Sequence, residues 1–338
     1  MKNSCTRRLL GLALVAASLL VQNAAALINI DTVYVGDIGN AGNGAVNYGY
    51  SIGKYEVTIS QYTAFLNAVA VTDTYGLYST AMGTDLNIRG IGRSGSSGSY
   101  TYSVIGSGNR PVTYVSWFDS ARFANWLHNG QPSGIQAAGT TETGAYTLNG
   151  ALSGIINRNP DAIYGLPSYA EWNKAAYYQP AAQGGDTDNY WLYATQSNAQ
   201  PNSRNGSATD PNSANYFRDD IVNSGNLNRG YAVSQSSSYN PNQNYLTDVG
   251  AFSLADSFYE TFDQNGNVRE WTDGIIFGQQ RQVFGGSWKS IRIELGAQAP
   301  LPTYEGSDTG FRVVLVPEPS TLAFCGAALL GLMVRRKS

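Results

Sequence analysis

The chain has two cysteines, Cys5 and Cys325, and both sit in the terminal segments, each of which carries an apolar run. The roughly 290 residues between those segments must therefore fold without a disulfide, a thiolate nucleophile or a Cys-ligated metal. His128 is the only histidine, which removes any site built on two or three imidazoles. Stability has to come without covalent cross-links, from a core that a stretch of this length is large enough to supply.

The end segments read as addresses rather than as parts of the core. Lys2, Arg7 and Arg8 precede an apolar run from Leu9 to Val21, which is followed by Gln22, Asn23 and the small residues Ala24, Ala25 and Ala26. A basic n-region, an apolar h-region and an A-x-A site predict a signal peptide over residues 1–26, with the mature chain starting at Leu27. At the other end, Val316-Pro317-Glu318-Pro319-Ser320 leads into an apolar segment from Leu322 to Val334 and then Arg335-Arg336-Lys337. A helix over that segment rises only about 20 Å against a hydrocarbon core of about 30 Å, so it spans poorly without its neighbours. The basic cluster suits a cytoplasmic stop. In this order the three features resemble the PEP-CTERM sorting signal, here residues 317–338, which exosortase-type transpeptidases recognise and cut. An ordinary C-terminal membrane anchor is the other reading. The resemblance implies export, transient membrane association through the C-terminal helix, and a final place at the cell surface or in the extracellular matrix.

Residues 27–316 keep 15 basic and 23 acidic side chains, a net charge of −8, and are rich in Gly, Asn, Ser and Tyr. Nucleic acids and anionic membrane surfaces select basic patches, so neither is an expected partner. Nothing in the stretch reads as a linker between two cores, and no internal repeat is visible. The Gly/Ser-rich run Arg93 to Ser99 and the Asn-rich run Asn198 to Gly206 read as surface loops of a single domain spanning 27–316.

Three helices can be placed. Thr58-x-x-Gln61 forms a capping box ahead of Ile59, Tyr62, Phe65, Leu66 and Val69 at helical spacing. Ser116 caps a second helix, with Asp119 in the favourable first turn, His128 in the last turn as a structural residue, and Gly130 beyond the end. Ser168-x-x-Glu171 opens the third, which Pro180 closes. Strands are expected over Ser51 to Val57, Val112 to Val115, Gln282 to Phe284 and Gly310 to Val316. Short, scattered strands with helices between them predict an α+β fold.

Five blocks in order resemble the sulfatase-modifying factor (formylglycine-generating enzyme) family: Tyr55-Glu56-Val57-Thr58 with Gln61-Tyr62; Pro111-Val112 with Val115-Ser116-Trp117; Tyr164-Gly165-Leu166-Pro167-Ser168 with Glu171-Trp172; Asn265 through Asp273; and Gly285-Gly286-Ser287-Trp288 with Gly310-Phe311-Arg312-Val313-Val314. The resemblance covers roughly residues 48–315 and implies an elaborated C-type-lectin-like α+β fold with little regular secondary structure. Read physically, Trp117, Trp126, Trp172, Trp271 and Trp288 are core residues, each with an indole N–H that needs a partner.

The resemblance also locates what is missing. The family's oxidases hold copper with two cysteines at positions that correspond here to Ser290 and Leu295. A hydroxyl and an isobutyl group do not bind Cu(I), which selects soft thiolates, so no copper is expected. The family's iron branch needs several histidines. What the resemblance does imply is a structural Ca²⁺ held by Asp263, the carbonyls of Gly266 and Val268, and Glu270; a plain acidic turn is the other reading. A second calcium site would use Asn215 and the Tyr216 carbonyl, with its other half near Asn242 to Tyr245, where the family's acidic residue is absent.

No catalytic residue is assigned. Ser290 has no base beyond the adjacent Lys289, and Glu56, Glu171 and Glu270 read as structural carboxylates. The expected function is that of an exported, non-catalytic protein that uses a lectin-like scaffold to bind a polysaccharide or a surface protein, in company with exopolysaccharide. The alternative is a secreted enzyme of the same fold with rearranged, non-copper chemistry. A shallow aromatic face near Ser290 would favour the first, and a polar cleft with convergent carboxylates the second.

Overall fold

Thr58, Ser116 and Ser168 each accept a hydrogen bond from the main-chain N–H three residues on, and each returns its own N–H to the side chain found there. These reciprocal caps open the three long helices of the computed structural model, α1 (Ile59–Val69), α3 (Trp117–His128) and α4 (Tyr169–Tyr177). A single turn, α2 (Ala81–Thr84), lies between the first two. The structure describes residues 27–204, 209–219, 230–291, 293 and 298–316. The expected leader (1–26), the sorting signal (317–338), both cysteines and Leu295 lie outside the described residues.

The strands are β1 (Thr32–Val35), β2 (Tyr50–Gly53), β3 (Ile91–Ser94), β4 (Thr101–Val104), β5 (Tyr164–Gly165), β6 (Phe217–Arg218), β7 (Gly230–Tyr231), β8 (Arg269–Ile276), β9 (Gln280–Phe284), β10 (Thr309–Gly310) and β11 (Val314–Leu315). One sheet has the order β1-β2-β11-β5 with antiparallel neighbours. A second has the order β10-β8-β9, in which β10 runs parallel to β8. The pairs β3-β4 and β6-β7 complete the set, and the Arg93 to Ser99 run forms the tip of the β3-β4 hairpin.

Three strand expectations are corrected, and each correction has a physical reason. The strand expected over Gly310 to Val316 is two strands in two sheets, because between them Arg312 turns into the core while the Phe311 and Val313 carbonyls accept from Val57 and Gly53. The strand expected over Ser51 to Val57 stops at Gly53. Val112 to Val115 is not a strand: Tyr114 takes a φ of +57°, which breaks the extended run, and is held there by its N–H on the Gly306 carbonyl and its hydroxyl on Asp85.

The main core lies between α1 and α3. Tyr62, Phe65, Phe123, Trp126 and Phe311 pack there, with Phe123 edge-on to both Phe65 and Phe311 at 5.3 Å between centroids. Such contacts add to the burial of large aromatic area. Of the five tryptophans expected in the core, four place the indole N–H on an acceptor: Trp126 on Pro132, Trp172 on Glu270, Trp271 on Val115 and Trp288 on Ser307. Trp117 instead lies under the Arg281 guanidinium, 4.0 Å from its ring centroid.

Candidate functional site

The segment that leads from the main core into β8 is a tight turn, with left-handed φ values of +60° at Asp263, +98° at Gly266 and +53° at Asn267. Gly266 is required there, because a Cβ would lie 2.4 Å from the Asn215 carbonyl oxygen. The Asn267 N–H donates to that same oxygen at 2.7 Å, and Asn215 Nδ2 reaches Asn267 Oδ1 at 3.1 Å. The two stretches expected to form separate calcium sites therefore touch.

Glu270 is completely buried and faces Arg312, also completely buried: Nε meets Oε2 at 2.5 Å and Nη2 meets Oε1 at 2.7 Å. Trp172 adds a donor to Oε2 at 2.8 Å, while Oε1 takes one donor and keeps a second lone pair. The remaining Arg312 donors reach the carbonyls of Gly53 at 2.9 Å and Phe262 at 2.8 Å. This guanidinium ties both sheets to the acidic turn.

Two more carboxylates share the compartment. Asp263 Oδ2 accepts the Gly250 N–H at 2.5 Å, and burial pushes its carboxyl up to about 6 against the pull of that N–H and of Arg312. Glu56 is buried, and neither of its carboxylate oxygens has a hydrogen-bond partner among the described residues. Burial, reinforced by the charges of Asp263 and Glu270, holds the Glu56 carboxyl well above the usual carboxylate range, with Arg312 opposing. Three acids against one guanidinium leave a negative excess, which costs several kcal/mol (order of magnitude) unless protons or a cation balance it.

No group of three or more His, Cys, Asp or Glu side chains among the described residues is arranged to hold a metal ion, so a cation here would lean on main-chain oxygens as well. Those oxygens are present. Among the described residues no hydrogen bond reaches the buried carbonyls of Gly266 or Val268. Unpaired buried carbonyls in an acidic turn are the kind of oxygen donors that a hard ion such as Ca²⁺ takes. Asp263, Gly266, Val268 and the spare lone pair of Glu270 would hold it, with Glu56 as a further oxygen source that the sequence reading took to be structural. Asn215 and Tyr216 differ. Asn215 Nδ2 points a donor at the Tyr245 carbonyl at 2.9 Å, and the Tyr216 carbonyl accepts the Ser203 hydroxyl at 2.7 Å, a set that satisfies itself and does not fit a cation as it stands.

Ser290 closes a turn with Ser287. Its hydroxyl lies 3.0 Å from the Ser287 hydroxyl and accepts the Ser287 N–H at 3.0 Å, while Ser287 Oγ reaches Asp308 at 2.9 Å. Lys289 is directed to Ser307 and Asp308, and His128 accepts the Ile163 N–H on Nδ1. Neither is placed to take a proton from Ser290. What stands beside this turn is a stack of rings: Trp288 and Tyr245 lie 4.9 Å apart and parallel within 2°, and Tyr239 continues the stack at 5.9 Å and 14°. Tyr231 packs against Tyr245 at 4.5 Å, and Tyr239, 53% exposed, ends the stack at the surface. The sequence reading placed Trp288 in the core and met Tyr245 only as the end of a calcium half-site, since nothing in the spacing of the tyrosines shows that these rings meet.

The fold and these blocks define a C-type-lectin-like α+β domain of the kind that carries formylglycine-generating chemistry elsewhere. Residues 40–316 match the model of the sulfatase-modifying factor enzyme 1-like domain, and the chain belongs to that family. Residues 315–337 match the PEP-CTERM protein-sorting motif, which marks an exported protein recognised by an exosortase-type sorting enzyme. Among solved structures, the chain is similar to CarF at 24% identity and a TM-score of 0.47, covering 86% of this chain and 99% of that one. It is also similar to Treponema denticola variable protein 1 (18% identity, TM-score 0.41, 87% and 97% covered) and to PvdO from Pseudomonas aeruginosa (17% identity, TM-score 0.41, 86% and 92% covered). No curated protein sequence matches the chain. Among the described residues no helix is long and apolar enough to cross a membrane.

Proposed function

We propose that this exported protein is a non-catalytic binding module of the cell surface or extracellular matrix, associated with exopolysaccharide, whose fold is reinforced by a Ca²⁺ ion. The observation that carries the binding reading is the stack Trp288, Tyr245 and Tyr239, which runs from the turn holding Ser290 to a half-exposed ring at the surface. Flat aromatic faces suit sugar rings or a partner protein's side chains. Ser290 is bonded into a turn with Ser287, and among the described residues neither Lys289 nor His128 is placed to take its proton, which supports a binding use of this surface. The partnerless Glu56 carboxylate and the unpaired Gly266 and Val268 carbonyls support the calcium half of the proposal. The test of binding is a glycan array probed with the full chain and with Tyr239→Ala. Retention of a polysaccharide that the variant loses supports the reading, and equal retention by both, or none by either, rejects this face as the binding surface.

A further inference from the structure

A groove of about 400 Å³ opens over α4, away from the acidic compartment, with Asn43, Asn173, Asp188, Tyr190, Trp191 and Leu192 among its walls. Its floor holds an anomaly. Asn173 is 1% exposed, and neither its Nδ2 nor its Oδ1 has a hydrogen-bond partner among the described residues. Leaving a buried donor and acceptor unmade is costly, and such a group calls for an explanation.

The walls are built, not incidental. The Tyr190 hydroxyl accepts from the Gly44 N–H at 3.2 Å and from Asn40 Nδ2 at 3.0 Å, and donates to the Ala41 carbonyl at 2.8 Å. Gly42, at a φ of +94°, lets the loop lie flat against that ring, since a Cβ would come within 2.7 Å of it. On the other side, Trp191 donates its indole N–H to Gln179 at 2.8 Å and its main-chain N–H to Tyr177 at 3.0 Å, which fixes a half-buried indole at the groove. Site walls held before a ligand arrives lower the ordering cost of binding.

We propose that this groove binds a neutral saccharide unit. The carboxamide of Asn173 carries one unmade acceptor and one unmade donor, the complement of two adjacent ring hydroxyls; both atoms are covered in this structure, so a sugar reaches them only when the groove floor gives, while the fixed indole of Trp191 already offers a face to the C–H side of a sugar ring. The only ionisable acid on the walls is Asp188, and no Lys or Arg lines them, so a uronate or a phosphate has nothing to pair with. The volume falls in the range of small-molecule sites, about 300–1,000 Å³. The inference rests on the binding reading above for its ligand class, and it adds a second contact on a different face of the domain.

The test uses the full chain, purified in detergent, against immobilised neutral oligosaccharides of glucose, mannose and N-acetylglucosamine, with oligogalacturonate as the anionic comparator. The expected result is saturable binding of at least one neutral member in preference to oligogalacturonate, weakened about tenfold or more in Trp191→Ala. The melting temperature of that variant should stay within about 2 °C of the parent, which separates lost contact from lost fold. Asn173→Asp keeps the shape, removes the donor, and should weaken binding in the same direction. If Trp191→Ala binds as the parent does while Tyr239→Ala does not, the groove assignment is wrong and the binding reading stands. If no neutral member is retained, both fall, and the floor amide is satisfied by solvent alone.

Discussion

Arg312 and Glu270 form a two-point ion pair, at 2.5 Å and 2.7 Å, that water does not reach from either side. Arg312 comes from the segment joining β10 to β11 and Glu270 from β8, so the pair fastens one sheet to the other at the edge of the acidic turn. In this environment the pair matters less as net attraction than as a requirement: each ion needs the other once both are buried.

Arg312→Leu should therefore destabilise the protein by about 3–5 kcal/mol, because it leaves Glu270, Asp263 and Glu56 without the guanidinium that opposes them. Chemical denaturation of the variant and of Arg312→Leu combined with Glu270→Leu checks the cause. The double variant should recover part of the loss, whereas a double loss equal to the sum of the two single losses would show that charge pairing is not the issue.

Export and processing should leave no thiol. Cys5 and Cys325 both fall in the terminal segments, so thiol titration of protein recovered from the cell exterior should read near zero, and one thiol per chain would show that the tail remains attached. The same protein should neither bind Cu(I) tightly nor convert a sulfatase-motif cysteine peptide to an aldehyde, with Ser290 and Leu295 in place of thiolates. Aldehyde formation above a no-protein control would overturn that expectation. Adding back only the two cysteines should not create an oxidase, since the surrounding shell also shapes a copper site.

Asp119 gives a pH test of the α3 cap. Its carboxylate accepts the Ser116 N–H at 2.8 Å and the Ser116 hydroxyl at 2.6 Å, yet burial pushes it up to about 7, with Glu305 adding to the rise and Arg122 opposing it. An unfolded aspartate titrates near 3.9, so between about pH 4 and about pH 7 the folded state binds more protons and stability falls as pH rises. The contribution is at most about 4 kcal/mol across that window. Asp119→Asn keeps an acceptor for the cap and removes the titration. Unfolding free energies at about pH 5 and about pH 8 should differ less in the variant than in the parent, though Asp273, pushed up to about 6 by burial, keeps some slope in both. An unchanged slope would place Asp119 outside the titrating set.

What could be read in advance divides along physical lines. The three long helices were legible to the residue at their starts because capping is local: Thr58, Ser116 and Ser168 meet partners only three positions away. The Arg312 segment was not, because splitting Gly310 to Val316 between two sheets depends on contacts with Gly53, Val57 and Glu270, far off in the chain. The same holds for the candidate sites. The acidic turn was visible as one stretch, but Glu56 joins it across some two hundred residues, and the meeting of Tyr239, Tyr245 and Trp288 leaves no periodic trace. Asn173 lies in a helix and reads as an ordinary polar position until the groove above it is seen.

Calcium should stabilise the fold through the turn from Asp263 to Glu270. A ligand that binds only the native state raises stability by RT ln(1 + [L]/Kd), about 2.7 kcal/mol at a hundredfold excess over Kd. At the millimolar concentrations met outside cells, sites of even modest affinity fill, about 10⁻⁴–10⁻³ M for extracellular modules. Thermal melts of the parent in calcium and in chelator should then separate. Glu56→Gln keeps the volume and removes one negative charge from a carboxylate that has no protein partner, so it should relieve repulsion in chelator and reduce the gain from calcium. Glu270→Gln removes a ligand and also half of the Arg312 pair, so its two melts should converge at a lower temperature than those of Glu56→Gln. If the parent melts at one temperature with and without calcium, the compartment is balanced by protons on Glu56 and Asp263, and the metal assignment fails. A parent that responds while Glu56→Gln responds equally would keep the ion in the turn and remove Glu56 from its coordination.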